Sequence, residues 1–265
     1  MTHIPSDIQL PFDVIHLIIS ELANDADMGS VKACSLTCKT ILPVARKHIF
    51  AKVEVHNNYG YYYVRCEKPS LNRFKWLLDS DDPSIADYIR SFEYIAEYNF
   101  DHDSPPWPVL RNATSFKFSV GLWKESWGKL AGSLRTSFGN FISSNSIAEL
   151  YLFCISNFPI SIFLQIPCLV HLKIHYLSFV DTKDPGSFQK TKITRLLVYD
   201  ISAKDLRVLL GGTANMFDLT QLQDLSIGFS NESLDTDVVD NLISSSGKLR
   251  TLNIQAVSCN SKMNT

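Results

Sequence analysis

The spacing of hydrophobic residues changes near residue 50. Before that point apolar positions recur at three and four residues. Val14, Ile15, Ile18, Ile19 and Leu22 form one set, Met28, Val31, Cys34, Ser35 and Cys38 a second, and Leu42, Ala45, Ile49 and Phe50 a third. Such spacing places each set on one face of a helix. Leu10-Pro11 precedes the first set, where a proline suits the first turn because its missing N–H has no helical partner anyway. Asn24-Asp25-Ala26-Asp27 interrupts the pattern and offers N-cap oxygens, and Pro43 opens the third set. Three short helices are predicted within residues 8–50.

Beyond residue 50 the pattern becomes apolar-x-x-apolar-x-apolar. It occurs as Ile147/Leu150/Leu152, Leu169/Leu172/Ile174, Ile193/Leu196/Val198, Leu222/Leu225/Ile227 and Leu249/Leu252/Ile254. The central anchors Leu150, Leu172, Leu196, Leu225 and Leu252 are 22, 24, 29 and 27 residues apart. Alternation at period two marks a strand with one buried face, and recurrence at about 20 to 29 residues marks a stacked repeat. Weaker copies precede these, Ile89/Phe92/Tyr94 and Ala113/Phe116/Phe118, with an insertion at 119–146. Helix-compatible stretches lie between them at 71–78, 134–142, 160–164, 203–210 and 234–243. The predicted fold class is therefore α/β: a small three-helix module, then an irregular α/β solenoid with a parallel sheet.

Three segments divide the chain: a helical module at 8–50, a connecting hairpin and helix at 51–88, and repeats at 89–265. The hairpin is predicted within 52–66 around Asn57-Asn58-Tyr59-Gly60, and the PPWP run at 105–108 is predicted as a loop. The last repeat is followed by polar CNSKMNT, which predicts a weakly covered final strand.

The N-terminal run LPFDVIHLIISELAND, continued by ACSLTCKTILPVARKHIF, resembles an F-box. It is most similar to the short F-box-like variant reading CSLxCRxWLPxxRxxLF. Leu10, Pro11, Cys34, Leu36, Cys38, Pro43, Arg46 and Phe50 carry the likeness in order, while Ile41 stands where that variant has Trp and Lys39 where it has Arg. The later segments resemble a degenerate leucine-rich-repeat domain. Its usual Asn or Cys at the ninth repeat position is replaced by Ile155, Leu177, Ile201, Ser230 and Val257, which predicts irregular turns. This layout is similar to that of substrate receptors of Skp-cullin-F-box ubiquitin ligases. The resemblance implies a non-enzymatic subunit that docks the Skp adaptor with its F-box and a target protein with its repeats. A leucine-rich-repeat protein-binding scaffold with no ligase attached is the alternative.

A module of about forty residues buries little apolar surface by itself and leaves some of it wet. Leu10, Pro11, Val14, Ile18 and Leu36 are the expected adaptor-binding residues. In the repeats, strand alternation turns the residues between the apolar anchors toward the open face. Tyr151, Phe153, His171, Lys173, His175, Arg195 and Tyr199 are the expected target-binding residues, and their aromatic and basic chemistry points to an acidic or phosphorylated segment.

Composition narrows the classes. Twenty-five Lys plus Arg against 27 Asp plus Glu leave a net charge of -2, so no global field draws the chain to nucleic acid or to anionic membrane. With 45% hydrophobic and 20% charged residues the chain is ordinary globular material. Cys34, Cys38, Cys66, Cys154, Cys168 and Cys259 form no C-x-x-C pair, which fits free thiols in the cytoplasm or nucleus. The N-terminal segment lacks a basic n-region, and neither a signal peptide nor a membrane span is expected. The sequons at Asn112 and Asn231 are then expected to stay unmodified.

No phosphate loop, dinucleotide fingerprint or nucleophile elbow occurs. His171 and His175 lie in one predicted strand, where four residues span roughly 13 Å, too far to chelate one ion. Asp101-His102-Asp103 falls in a Pro-rich loop without a partner motif. Cys34 and Cys38 read as buried small residues on one helix face. No catalytic residue, metal site or cofactor is expected.

Overall fold

The computed structural model describes residues 11–56, 71–79, 84–96, 107, 110–121, 124–180, 190–211, 216–230 and 236–257. Three helices come first: α1 (Phe12–Asn24), α2 (Met28–Ser35) and α3 (Leu42–Ile49). Pro11 occupies the N-cap of α1, and its carbonyl accepts from Val14 and Ile15 N–H at 3.0 and 3.2 Å. Asp27 caps α2, its carboxylate accepting from Ser30 N–H at 3.1 Å. The helices share a small core of Ile19, Val31, Val44 and Ala45, with Ile15, Leu22, Met28 and Ile49 packed around it.

After α3 the chain enters the sheet almost at once. Phe50 packs against the larger core, and Ala51 leads into β1 (Lys52–His56). There follow α4 (Leu71–Asp79), α5 (Ser84–Tyr88), β2 (Ser91–Ala96) and β3 (Ser115–Val120). The 119–146 insertion holds the end of β3, β4 (Glu125–Ser126) and α6 (Gly132–Ser144). Then come β5 (Glu149–Pro159), β6 (His171–Val180), β7 (Thr191–Lys192), β8 (Arg195–Tyr199) and α7 (Ala203–Gly211). The chain ends with β9 (Phe217–Asp218), β10 (Asp224–Ser230), α8 (Thr236–Ser245) and β11 (Thr251–Val257).

The main sheet runs β1-β2-β3-β5-β6-β8-β10-β11, with β4 added beside β5, and every described pairing is parallel. Along this path spatial order follows chain order, while β7 and β9 pair with each other in a separate two-stranded sheet. The architecture is α/β around this parallel sheet. Residues 52–56, expected as the first arm of a hairpin, form the first strand of the sheet, pairing with β2 from Lys52↔Ser91 to His56↔Ile95. The remainder of that hairpin, 57–66, lies outside the described residues, as do Asp101-His102-Asp103 and the polar 259–265 tail.

One hydrogen-bonding device recurs where each strand begins. Ala51 C=O accepts from both Arg90 and Ser91 N–H, each at 2.9 Å. The carbonyls of Arg90, Thr114, Ala148, Val170, Thr194 and Gln223 accept in the same paired way from the two residues that open the next strand, at 2.8 to 3.2 Å. These shared acceptors hold one register from strand to strand. Phe92, Phe116, Leu150, Leu172, Leu196, Leu225 and Leu252 consequently align, as do Tyr94, Phe118, Leu152, Ile174, Val198, Ile227 and Ile254.

Both rows point into the core beneath the sheet. They are aliphatic from β5 onward, whereas β2 and β3 contribute Phe92, Tyr94, Phe116 and Phe118, met by Phe138 and Phe141 of α6 and by Trp107. Trp107 is fully buried, with its ring centre 5.2 Å from those of Tyr94 and Phe116. Residue 107 was expected in a loop. It is a core anchor of the weaker copies.

The turns at three of the ninth positions are irregular, as their residue types predict. Cys154, Tyr176 and Asp200 adopt left-handed backbone, with φ of 58°, 54° and 51°. Each directly follows an aligned strand residue, Phe153, His175 or Tyr199. The bend at each turns the following Ile155, Leu177 and Ile201 into the core, where all three are buried. A bend of this kind costs a non-glycine residue of order 1–3 kcal/mol, offset here by burying a large aliphatic side chain. Asp205 fastens α7 to the sheet, accepting from Phe179 N–H at 2.8 Å and from Ser202 Oγ at 2.6 Å.

The two ends of the sheet differ. Val55 of β1 is fully buried, whereas Leu252 and Ile254 of β11 remain 44% and 42% exposed, although their counterparts Leu225 and Ile227 are buried. Amide exchange in β11 is therefore expected to be faster than in β6, and equal protection of the two strands would contradict this difference. Truncating Phe116 to Ala should lower unfolding stability by about 3–5 kcal/mol in denaturant titration, because the rings around it cannot close the space.

Candidate functional site: two exposed faces

In the helical module, the small core leaves much apolar surface outside. Val14 and Ile18 are exposed on α1, joined by Phe12 and by Leu17, which is 60% exposed. Leu36 forms the C-cap of α2 and is 86% exposed. Pro11 is exposed too, and Leu10 lies outside the described residues. Phe12 and Leu17 escaped the sequence reading because they fall off the stripe that packs inward. Adjacency to that stripe was the available signal. The pairing of Cys34 and Cys38 as buried neighbours requires correction: α2 ends at Ser35, so Cys38 lies beyond the helix and is exposed, while Cys34 is half-buried.

On the sheet, residues between the inward rows form an outward face with three rows of its own. The first is Glu149, His171, Arg195 and Asp224, the second Tyr151, Lys173, Leu197 and Ser226, and the third Phe153, His175, Tyr199 and Gly228. All seven expected target-binding residues share this face. Lys173 stands directly beside Tyr151, while Arg195 aligns with His171 and is two residues out of step with Lys173.

Most charges on this face are already paired across strands. Arg195 Nε and Nη2 both reach Asp224 Oδ2, at 3.0 and 2.9 Å. Hydrogen bonding from Arg195 is the largest cause that holds the Asp224 carboxyl below its ordinary range. His171 Nδ1 lies 3.1 Å from Glu149 Oε1, and Tyr151 OH donates to Glu149 Oε2 at 3.4 Å. Burial first, then the Glu149 carboxylate, pushes the Tyr151 phenol above its ordinary value. Toward the strand ends, His175 Nε2 lies 2.7 Å from Oδ2 of the buried Asp200, and Tyr199 OH shares a 3.0 Å hydrogen bond with Ser226 Oγ.

Two lysines meet aromatic rings. Lys117 on β3 pairs with Glu93 on β2, and its Nζ lies 5.0 Å from the Phe153 ring centre. Lys173 Nζ lies 5.8 Å from both the Phe153 and the Tyr199 ring centres. Among the described residues no carboxylate pairs with Lys173. Glu93, Lys117 and Asp200 were missed from sequence, the first two because aromatic residues carry the repeat pattern there. Asp200 escaped because its bend falls outside strand alternation.

Other chemistry is sparse. Among the described residues no group of three or more His, Cys, Asp or Glu side chains is placed to hold a metal ion. A recess of about 530 Å3 lies between α7 and α8, lined by Arg207, Phe217 and Leu242, and none of the seven expected target-binding residues lines it. No described helix is long and apolar enough to cross a membrane. Comparison with known proteins found no family model and no curated protein that matches the chain.

The pairing on the sheet is open to direct measurement. An Arg195→Met variant should return the Asp224 carboxyl upward toward its ordinary titration range, read by carbon NMR. In the unaltered chain the depressed carboxyl means that the pair persists at neutral pH and is lost only as pH falls through that lowered value. An unchanged Asp224 titration would show that Arg195 does not hold it.

Proposed function

We propose that the chain is the substrate-recognition subunit of a Skp-cullin-F-box ubiquitin ligase, its helical module an F-box and its strand array a degenerate leucine-rich-repeat solenoid. The exposed apolar cluster of Phe12, Val14, Leu17, Ile18 and Leu36 carries this reading. A module with four fully buried core residues has no structural use for five large apolar side chains in water. Covering each yields about 1.5–3 kcal/mol of hydrophobic free energy as an upper figure, so a partner groove that takes the whole cluster would bind well.

In this reading the Skp adaptor covers α1 and the end of α2, and a target protein lies on the outward face of the sheet across Tyr151, Phe153, His171, Lys173, His175, Arg195 and Tyr199. The chain makes and breaks no bonds. It raises the effective concentration of a target lysine beside a ubiquitin-charged enzyme carried elsewhere in the complex. Two observations support the division of labour. The two faces belong to separate core clusters, and the join through Phe50 and Ala51 leaves almost no linker between them. Thiols unpaired at Cys34, Cys38, Cys154 and Cys168 fit the cytoplasm or nucleus, where such a ligase works.

Replacing Ile18 and Leu36 together by Glu should weaken adaptor binding at least thirty-fold, about 2 kcal/mol, in a pull-down or titration with purified Skp adaptor. Both side chains are exposed, so the variant should unfold at the wild-type temperature. Undiminished binding by the variant would remove this face from the interface. Absence of binding by the unaltered chain would favour a repeat scaffold without a ligase.

A further inference from the structure

Lys173 is the middle residue of a panel three strands wide and three rows deep. Tyr151 and Leu197 flank it on the neighbouring strands, His171 and His175 stand two residues away on its own strand, and Glu149, Phe153, Arg195 and Tyr199 occupy the corners. Its polar neighbours have partners: Arg195 holds Asp224, His171 faces Glu149, and His175 faces Asp200. Lys117, the other lysine close to the Phe153 ring, is joined to Glu93. Lys173 instead has aromatic neighbours, with the Phe153 and Tyr199 rings each 5.8 Å from Nζ.

We propose that Lys173 is the capture point for a single unmodified carboxylate, an Asp or Glu side chain, presented by a target segment that is otherwise uncharged and carries apolar residues beside the acid. This rests on the outward face of the sheet being the target face. It narrows the broader expectation of an acidic or phosphorylated ligand.

The charge pattern dictates the narrowing. One cation without a carboxylate partner among the described residues matches one anion. A phosphate carries nearly two negative charges and is best held by a guanidinium fork, but both Arg195 contacts already go to Asp224. A second negative charge on the ligand would also lie near Glu149 at the corner of the panel, so a phosphate or an acidic tract meets repulsion that a lone carboxylate largely avoids. The Phe153 and Tyr199 rings beside the Lys173 ammonium offer apolar contact to the residues on either side of the acid.

The test is selection of a random peptide display library on the immobilised full-length chain. The strongest peptides are then synthesised with the acid intact, changed to its amide, or replaced by phosphoserine. Enriched peptides should carry one Asp or Glu beside apolar residues. The amide change should weaken binding to the unaltered chain about ten-fold, roughly 1.4 kcal/mol, and should have little effect on binding to a Lys173→Met variant, which keeps most of the apolar stem. Lys173→Arg should restore the preference for the acid. Tighter binding of phosphoserine, enrichment of multiply acidic peptides, equal sensitivity to the amide change in Lys173→Met, or no enrichment at all would each overturn the proposal. Adaptor binding is a separate readout. A chain that binds the Skp adaptor but selects peptides indifferent to Lys173 refutes this inference alone, and one that selects the expected peptides without binding the adaptor refutes the ligase reading alone.

Discussion

The structure depends on the stacking of two inward side chains on every strand against the same two on the next. In a parallel sheet whose order follows the chain, this needs one register held throughout, since a slip of one residue would turn every apolar side chain outward. The shared carbonyl acceptors at Ala51, Arg90, Thr114, Ala148, Val170, Thr194 and Gln223 fix that register at the point where each strand starts. What varies is the size of the inward pair. Aromatic pairs on β2 and β3 pack against the Trp107 ring, and the pairs from β5 onward are aliphatic.

Fixing the inward rows fixes the outward ones as well. Alternation leaves Glu149, Tyr151 and Phe153 and their neighbours no choice of face, and the common register sets each of them beside the residue of the same row on the next strand. Cross-strand pairing then satisfies much of the face: along the first row Arg195 meets the opposite charge of Asp224, and His171 lies within hydrogen-bond distance of Glu149. A surface of mixed aromatic and prepaired polar groups favours specificity over simple charge attraction. The helical module is under no such constraint. Its core is a separate cluster, and its outer apolar residues have no strand to face.

The sequence carried the aliphatic repeats plainly, because Leu150/Leu152, Leu172/Ile174, Leu196/Val198 and Leu225/Ile227 use the residue types and the period that mark a half-buried strand. The aromatic copies Phe92/Tyr94 and Phe116/Phe118 were weaker signals for the same geometry. Trp107 was hidden by the prolines around it, which speak for a loop whatever the middle residue does. The extended character of 52–56 was legible, but its parallel partner 39 positions further along the chain had no local signal. The bends at Cys154, Tyr176 and Asp200 had no local signal, since none is glycine and their conformation is imposed by the burial of the next residue. On the candidate faces, alternation identified which residues point outward. Which of them are already paired depends on neighbours 22 to 29 positions away, through contacts such as His171 with Glu149 and Arg195 with Asp224.

The proposed function requires that an adaptor cover the apolar face of the helical module when the protein works. Calorimetric titration of the full-length chain with purified Skp adaptor at several temperatures tests this directly. The account predicts saturable one-to-one binding at micromolar or lower concentration, with a negative heat-capacity change from burial of the Phe12, Leu17, Ile18 and Leu36 side chains. Absence of binding at such concentrations, or binding without a heat-capacity change, would contradict it.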